Sequence, residues 1–189
     1  MAISRLRGVA LCALAVIATG CAQYKAPPYA TDYEALDRLK AAKPSSVAVT
    51  AFQPTDPQHA VNNLSLRGAR LTSPSGTFAK YLEDALIRDL KEISAFDPAS
   101  GTRIEATILV NAIDISGFVT GTGAMEVELT VVRRGQRALR KTYKANTTFE
   151  SSFAGIVAIP AGQAAYTDLA RTLLRAVYAD PQFVTAIGK

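Results

Sequence analysis

Apolar and polar residues alternate along the chain with two distinct periods. "GTFAKYLEDALIRDLKEIS" (76–94) spaces Phe78, Tyr81, Leu82, Ala85, Leu86, Leu90 and Ile93 as the buried stripe of a helix. Ser75 is its predicted cap, and Asp84–Arg88 and Arg88–Glu92 are spaced as i,i+4 pairs on the wet side. After "FDPASG" the period becomes two. "TRIEATILVNAIDIS" (102–116) puts Ile104, Ala106, Ile108, Val110 and Ala112 on one face, and "AMEVELTVVRR" (124–134) does so with Met125, Val127, Leu129 and Val131. "RALRKTYKANTTFES" (137–151) follows with Leu139, Lys141, Tyr143, Ala145, Thr147 and Phe149. These segments predict an antiparallel meander with one solvated face. A second helix is expected over roughly 161–179, with Ala165, Leu169, Leu173, Ala176 and Val177 inward, before "DPQFVTAIG" closes the chain.

Upstream, "SSVAVTAF" (45–52) reads as a first strand between Pro44 and Pro54. The polar connection 53–76 is long for a structureless loop, so either "NLSLRGARL" is a weak strand or the loop is a mobile functional element. "TDYEALDRLKAAKP" (31–44) opens on a capping-box pattern, Thr31 and Glu34, and predicts a short helix. "AQYKAPPYA" (22–30) reads as an extended tether. The order β–α–β–β–β–α implies an α+β two-layer sandwich. About four strands form an antiparallel sheet, covered on one face by two helices, within a single domain spanning 45–189.

The first twenty residues stand apart. Arg5 and Arg7 precede an apolar run, Val9 to Thr19, that as a helix would cover only about 17 Å, against about 30 Å of bilayer core. The run therefore predicts a signal peptide rather than a transmembrane anchor. Its end, "IATGCA", resembles the lipobox of bacterial lipoproteins, with small residues Thr19 and Gly20 before Cys21. Ala18 stands where that motif usually has leucine, and Ile17 supplies the bulk one step earlier. The resemblance implies cleavage after Gly20 and acylation of Cys21, for instance with palmitate. Ala22 rather than Asp after Cys21 points to the outer membrane, with the domain facing the periplasm. Several acyl chains make such an anchor stable.

Composition agrees with a globular domain: 49% hydrophobic and 20% charged residues. Without Arg5 and Arg7, 19 basic and 16 acidic side chains remain, too small an excess to imply a nucleic-acid partner. Cys12 falls in the apolar run, so no intramolecular disulfide is expected in the cleaved chain, and Cys/His zinc chemistry is excluded.

Candidate chemistry is sparse. His59, the sole histidine, sits in the polar connection beside Asp56 and reads as a solvated loop residue. "GFVTGTG" precedes a strand, not a helix, and so reads as a hairpin loop rather than a phosphate loop. Glu126 and Glu128 share the outer face, where Arg140 and Lys144 are available as cross-strand partners. The basic group Arg133, Arg134, Arg137, Arg140 and Lys141 clusters at a hairpin tip that could meet anionic lipid or a protein. "FAGIVAIP" (153–160) is too apolar for water, yet Gly155 and Pro160 make it a poor strand or helix. It is expected to pack across the sheet edge, or else to offer Phe153, Ile156 and Val157 to a partner or a membrane.

The helix "FAKYLEDALIRDL", the strand pair ending in "KTYKANTTFESSF" and the helix "YTDLARTLLRAVYADPQF" together are similar to YajG-type lipoproteins. They resemble LptE-like and CsgG-like periplasmic domains more distantly. The shared features are Lys141, Tyr143 and Lys144 on the last strand, and Asp180 and Phe183 after the final helix. The resemblance spans roughly 45–185 and implies a non-enzymatic accessory of envelope assembly or transport, without catalytic residues, cofactor or metal. Its partners would be the membrane, through Cys21, and an envelope protein or anionic lipid. A subunit of an oligomeric export channel, or an enzyme acting on envelope polymers, are the alternatives.

Overall fold

The computed structural model describes residues 23–188; Cys21, Gly20 and the apolar run before them lie outside the described residues. Among the described residues, two sheets and four α-helices form an α+β fold around one contiguous core. The larger sheet has the order β2-β5-β6-β7: β2 (Ala48–Val49), β5 (Thr102–Asp114), β6 (Thr120–Arg133) and β7 (Gln136–Glu150). The last three make the expected antiparallel meander, but the first strand departs from that expectation: β2 runs parallel to β5, because the connection between them crosses over through α2 (Phe78–Glu92). Val127, Leu129 and Val131 face inward on β6, while Tyr143 and Ala145 do so on β7. Against them pack α3 (Gly155–Tyr178) and α4 (Pro181–Ile187).

On β5 the alternation breaks. A bulge at Leu109 shifts the register between Ile108 and Val110, so Val110 and Ala112 turn outward while Asn111 and Ile113 turn in. One extra residue reverses every side chain beyond it.

The connection 53–76 is neither structureless nor loose. β3 (Leu64–Leu66) and β4 (Ala69–Thr72) form a hairpin whose turn residues, Arg67 and Gly68, both have positive φ, the combination a two-residue I′ turn requires. Asn62 fastens the preceding segment. Its Nδ2 donates to the carbonyls of Pro54 and Asp56, and its Oδ1 accepts from the N–H groups of Phe78 and Ala79 at the start of α2.

The expected tether is also folded from Gln23 onward. β1 (Gln23–Lys25) adds in parallel to β4, completing the smaller sheet β1-β4-β3. Ala26 and Tyr29 are buried, so the prolines between them hold extended chain against the domain. The helix after it, α1 (Tyr33–Ala41), is capped by Asp32 rather than Thr31, and Asp32 also pairs with Arg175 at 2.6 Å. Likewise Thr77, not Ser75, caps α2. Asp84 pairs with Lys80 instead of Arg88, whose guanidinium donates to the Tyr29 carbonyl.

Candidate binding surfaces

The acidic pair on the outer face is neutralised across the sheet. Glu126 meets Lys144 at 2.7 Å and Glu128 meets Arg140 at 2.9 Å, the partners that strand alternation provides. His59 is exposed, and its Nδ1 accepts from the Val61 N–H, capping the short 3-10 turn Ala60–Asn62. The two glutamates and His59 are thus each engaged locally. Among the described residues, no three His, Cys, Asp or Glu side chains are placed to share a metal ion.

Of the basic residues, Arg133, Arg134 and Arg137 sit at the β6–β7 hairpin tip, whereas Arg140 and Lys141 lie further along β7, paired with Glu128 and Asp180. Arg134 and Gly135 both have positive φ and turn the chain, leaving Arg134 and Arg137 exposed and Arg133 half-buried. Arg137 and Arg140 also border an open polar trough on the uncovered sheet face, with Gln53, Glu105, Thr107 and Thr130.

At the opposite end of the meander lies an apolar patch. "FAGIVAIP" does not cross the sheet edge as expected: from Gly155 it is the first part of α3, with Pro160 inside the helix. Phe153, Ile156 and Val157 are 76%, 86% and 53% exposed. They are joined by Phe118 and Val119, each 74% exposed, from the β5–β6 connection. The Phe118 and Phe153 rings stack, with centroids 5.8 Å apart and planes within 9°. Adjacent apolar residues inside the glycine-flanked "GFVTG" are the only sequence signal for Phe118 and Val119, and a hairpin reading absorbs it.

This end is held by hydrogen bonds. The Ser151 N–H donates to the Val119 carbonyl at 2.7 Å, tying the two connections together. The Arg67 guanidinium, on the β3–β4 turn, donates to the carbonyls of Ile115, Ser152 and Phe153. Nothing in the sequence pattern marks Arg67 for this role. Thr120 and Arg133 lie thirteen positions apart on one strand, about 40 Å, so the basic tip and the apolar patch are distinct surfaces.

Two further clusters are structural. Asp89, fully buried, accepts from the hydroxyls of Tyr29 (2.7 Å) and Tyr178 (2.8 Å). Burial pushes its carboxyl up, against the hydrogen bonds from Tyr29 and Tyr178 that pull the other way. Asp180 joins Lys141 and Tyr143 at the N-terminus of α4.

No protein-family model matches the chain, and no curated protein matches it by sequence. Three solved structures are similar in shape. Protein XCC0632 from Xanthomonas campestris, of the family model DUF330, covers 82% of this chain and 94% of its own at a TM-score of 0.56 and 13% identity. A "putative lipoprotein" from Caulobacter crescentus covers 83% of this chain and 98% of its own at a TM-score of 0.47 and 13% identity. The hypothetical protein CT253 from Chlamydia trachomatis covers 55% of this chain and 72% of its own, at a TM-score of 0.38 and 9% identity. At 13% identity, the likeness to XCC0632 establishes a shared fold.

Proposed function

We propose that this chain is a lipid-anchored protein of the bacterial envelope, attached to the outer membrane through Cys21. Its periplasm-facing domain acts by binding, as an accessory of envelope assembly or transport, rather than by catalysis. The observation that carries the reading is "IATGCA" at the end of a short apolar run, with Cys21 two residues before the first strand. Among the described residues no helix is long and apolar enough to cross a membrane, which fits attachment through lipid. The locally paired Glu126, Glu128 and His59 fit a binding role, and the exposed arginines of the hairpin tip suit an anionic partner.

Growth with radiolabelled palmitate tests the anchor. The protein is expected to take up label and to sediment with outer membrane, and the Cys21→Ser variant to do neither. An unlabelled parent protein overturns the anchoring reading. Crosslinking in intact cells, followed by identification of the captured protein, tests the binding role. Alanine at Glu126, Glu128 and His59 should leave complementation of a deletion strain intact, and its loss would favour an enzyme.

A further inference from the structure

We propose that Phe118, Val119, Phe153, Ile156 and Val157 seat the domain directly on the lipid surface that holds its anchor. This rests on acylation of Cys21 as proposed above and adds to it an orientation and a second point of membrane contact.

The direction of β1 carries the inference. It runs parallel to β4 with Gln23 opposite Arg70, so the chain arrives from the side of the Arg67–Gly68 turn. Arg67 lies three residues before Arg70, about 10 Å along the strand, and its guanidinium holds the carbonyls of Ile115, Ser152 and Phe153. The apolar patch and the point where the chain enters the fold are therefore at one end of the molecule.

Spacer length decides what can lie against that patch. Gln23 is already paired in the sheet, and in sequence one residue, Ala22, separates it from Cys21. Covalent geometry keeps Cys21 within about 7 Å of Gln23. Acyl chains on Cys21 enter the bilayer at that residue, so the end of the domain that carries the patch is drawn down to the headgroups. No protein layer fits between them. Apolar and aromatic side chains of this kind bury in the boundary between headgroups and acyl chains.

The patch is also prepared for such a contact. Five of the eight large apolar side chains exposed among the described residues belong to it; Tyr33, Leu109 and Val110 are the others. The stacked Phe118 and Phe153, the Ser151–Val119 hydrogen bond and the Arg67 clamp hold its two connections in place. Little conformational freedom is then lost on contact. The same orientation points Arg133, Arg134 and Arg137 away from that membrane, where they can meet a partner in the periplasm.

The test uses the acylated protein purified from envelopes and reconstituted into phosphatidylethanolamine–phosphatidylglycerol vesicles, with a polarity-sensitive dye on Ile156→Cys or, as the distant control, Arg134→Cys. Both positions are exposed, so both variants should fold. Dye at 156 is expected to brighten several-fold in vesicles and to be quenched by nitroxide-labelled lipid, while dye at 134 does neither. An acylated, vesicle-bound protein whose two positions respond alike overturns the seating while leaving the anchor intact. Efficient disulfide crosslinking between copies through Ile156→Cys, without lipid quenching, also overturns it, in favour of a contact with a second copy. Protein that carries no acyl label and stays off the vesicles overturns both readings together.

Discussion

Tyr143 donates a 2.6 Å hydrogen bond to Oδ2 of Asp180, joining the central part of β7 to the first turn of α4. Lys141 reaches the same oxygen at 2.9 Å, and Oδ1 accepts from the Gln182 N–H. One carboxylate therefore caps a helix and fastens it to the sheet. Burial pushes its carboxyl up, but the bonds from Tyr143, Lys141 and Gln182 outweigh this and hold it below the usual range.

Replacing Asp180 by alanine should cost about 1–3 kcal/mol at neutral pH, from the lost cap and the charged hydrogen bonds. A depressed folded-state value means that this stabilisation is present above the unfolded value of about 3.9 and is lost as pH falls through the lower folded one. Urea unfolding of parent and Asp180→Ala should thus differ at pH 7 and converge in acid. A gap that stays constant with pH would show that the carboxylate charge contributes nothing.

Asp89 should behave with the opposite sign. Its carboxyl is raised, so the folded state holds the proton more tightly than the unfolded chain. The group's contribution is therefore most favourable below about 3.9 and declines as pH rises through the folded value. Asp89→Asn keeps an oxygen for Tyr29 and Tyr178 but cannot ionise. Relative to the parent it should gain stability between pH 4 and pH 7 in thermal or urea unfolding. Tyr29→Phe should lose about 1–2 kcal/mol, because it removes one of the two hydroxyls that donate to the buried carboxyl. It should also expose residues 23–30 to protease.

Legibility followed the periodic signals and stopped where single residues override them. The α2 stripe and the inward faces of β6 and β7 could be read directly, as could the pairing of Glu126 with Lys144, because strand and helix periods determine which side chains share a face. The bulge at Leu109 could not, since an apolar extra residue in an apolar strand leaves the composition unchanged. Tyr24 and Tyr29 looked like part of a linker beside their prolines, and only the tertiary partners β4 and Asp89 turn that stretch into folded chain. Of the candidate surfaces, Phe153, Ile156 and Val157 were visible as apolar residues without a place. Their partners Phe118 and Val119, and the Arg67 clamp, depend on connections far apart in sequence.

The bulge is held by Asn111, which makes it testable. Turned inward by Leu109, its Nδ2 donates to the Val61 carbonyl at 2.8 Å and to the Tyr166 hydroxyl at 3.1 Å. Asn111→Ala leaves the Val61 carbonyl without that donor and should cost about 1–3 kcal/mol in urea unfolding. Deleting Leu109 would remove the extra residue yet leave Val110 outward and Asn111 inward in unbroken alternation, on the partners they already have, so it should cost less than the point substitution. A deletion more harmful than Asn111→Ala would mean that the bulge itself, and not only the inward Asn111, is needed by the strand.

Gly162 sets how closely α3 approaches the end of β5, beneath the turn that carries Ile156 and Val157. A Cβ there would stand 2.7 Å from Cγ2 of Ile115 and 3.2 Å from Cγ2 of Ile113. Alanine gains about 1 kcal/mol of helix propensity over glycine, whereas overpacking costs about 1–3 kcal/mol. Both contacting methyls belong to β-branched side chains with little rotamer freedom, so the helix rather than the methyl must move. Gly162→Ala is therefore expected to be destabilising on balance. Ile115→Ala should make room for the added methyl, so the double variant should be more stable than the sum of the two single losses implies. Strictly additive losses in a double-mutant cycle would place the strain of Gly162→Ala somewhere other than the Ile115 contact.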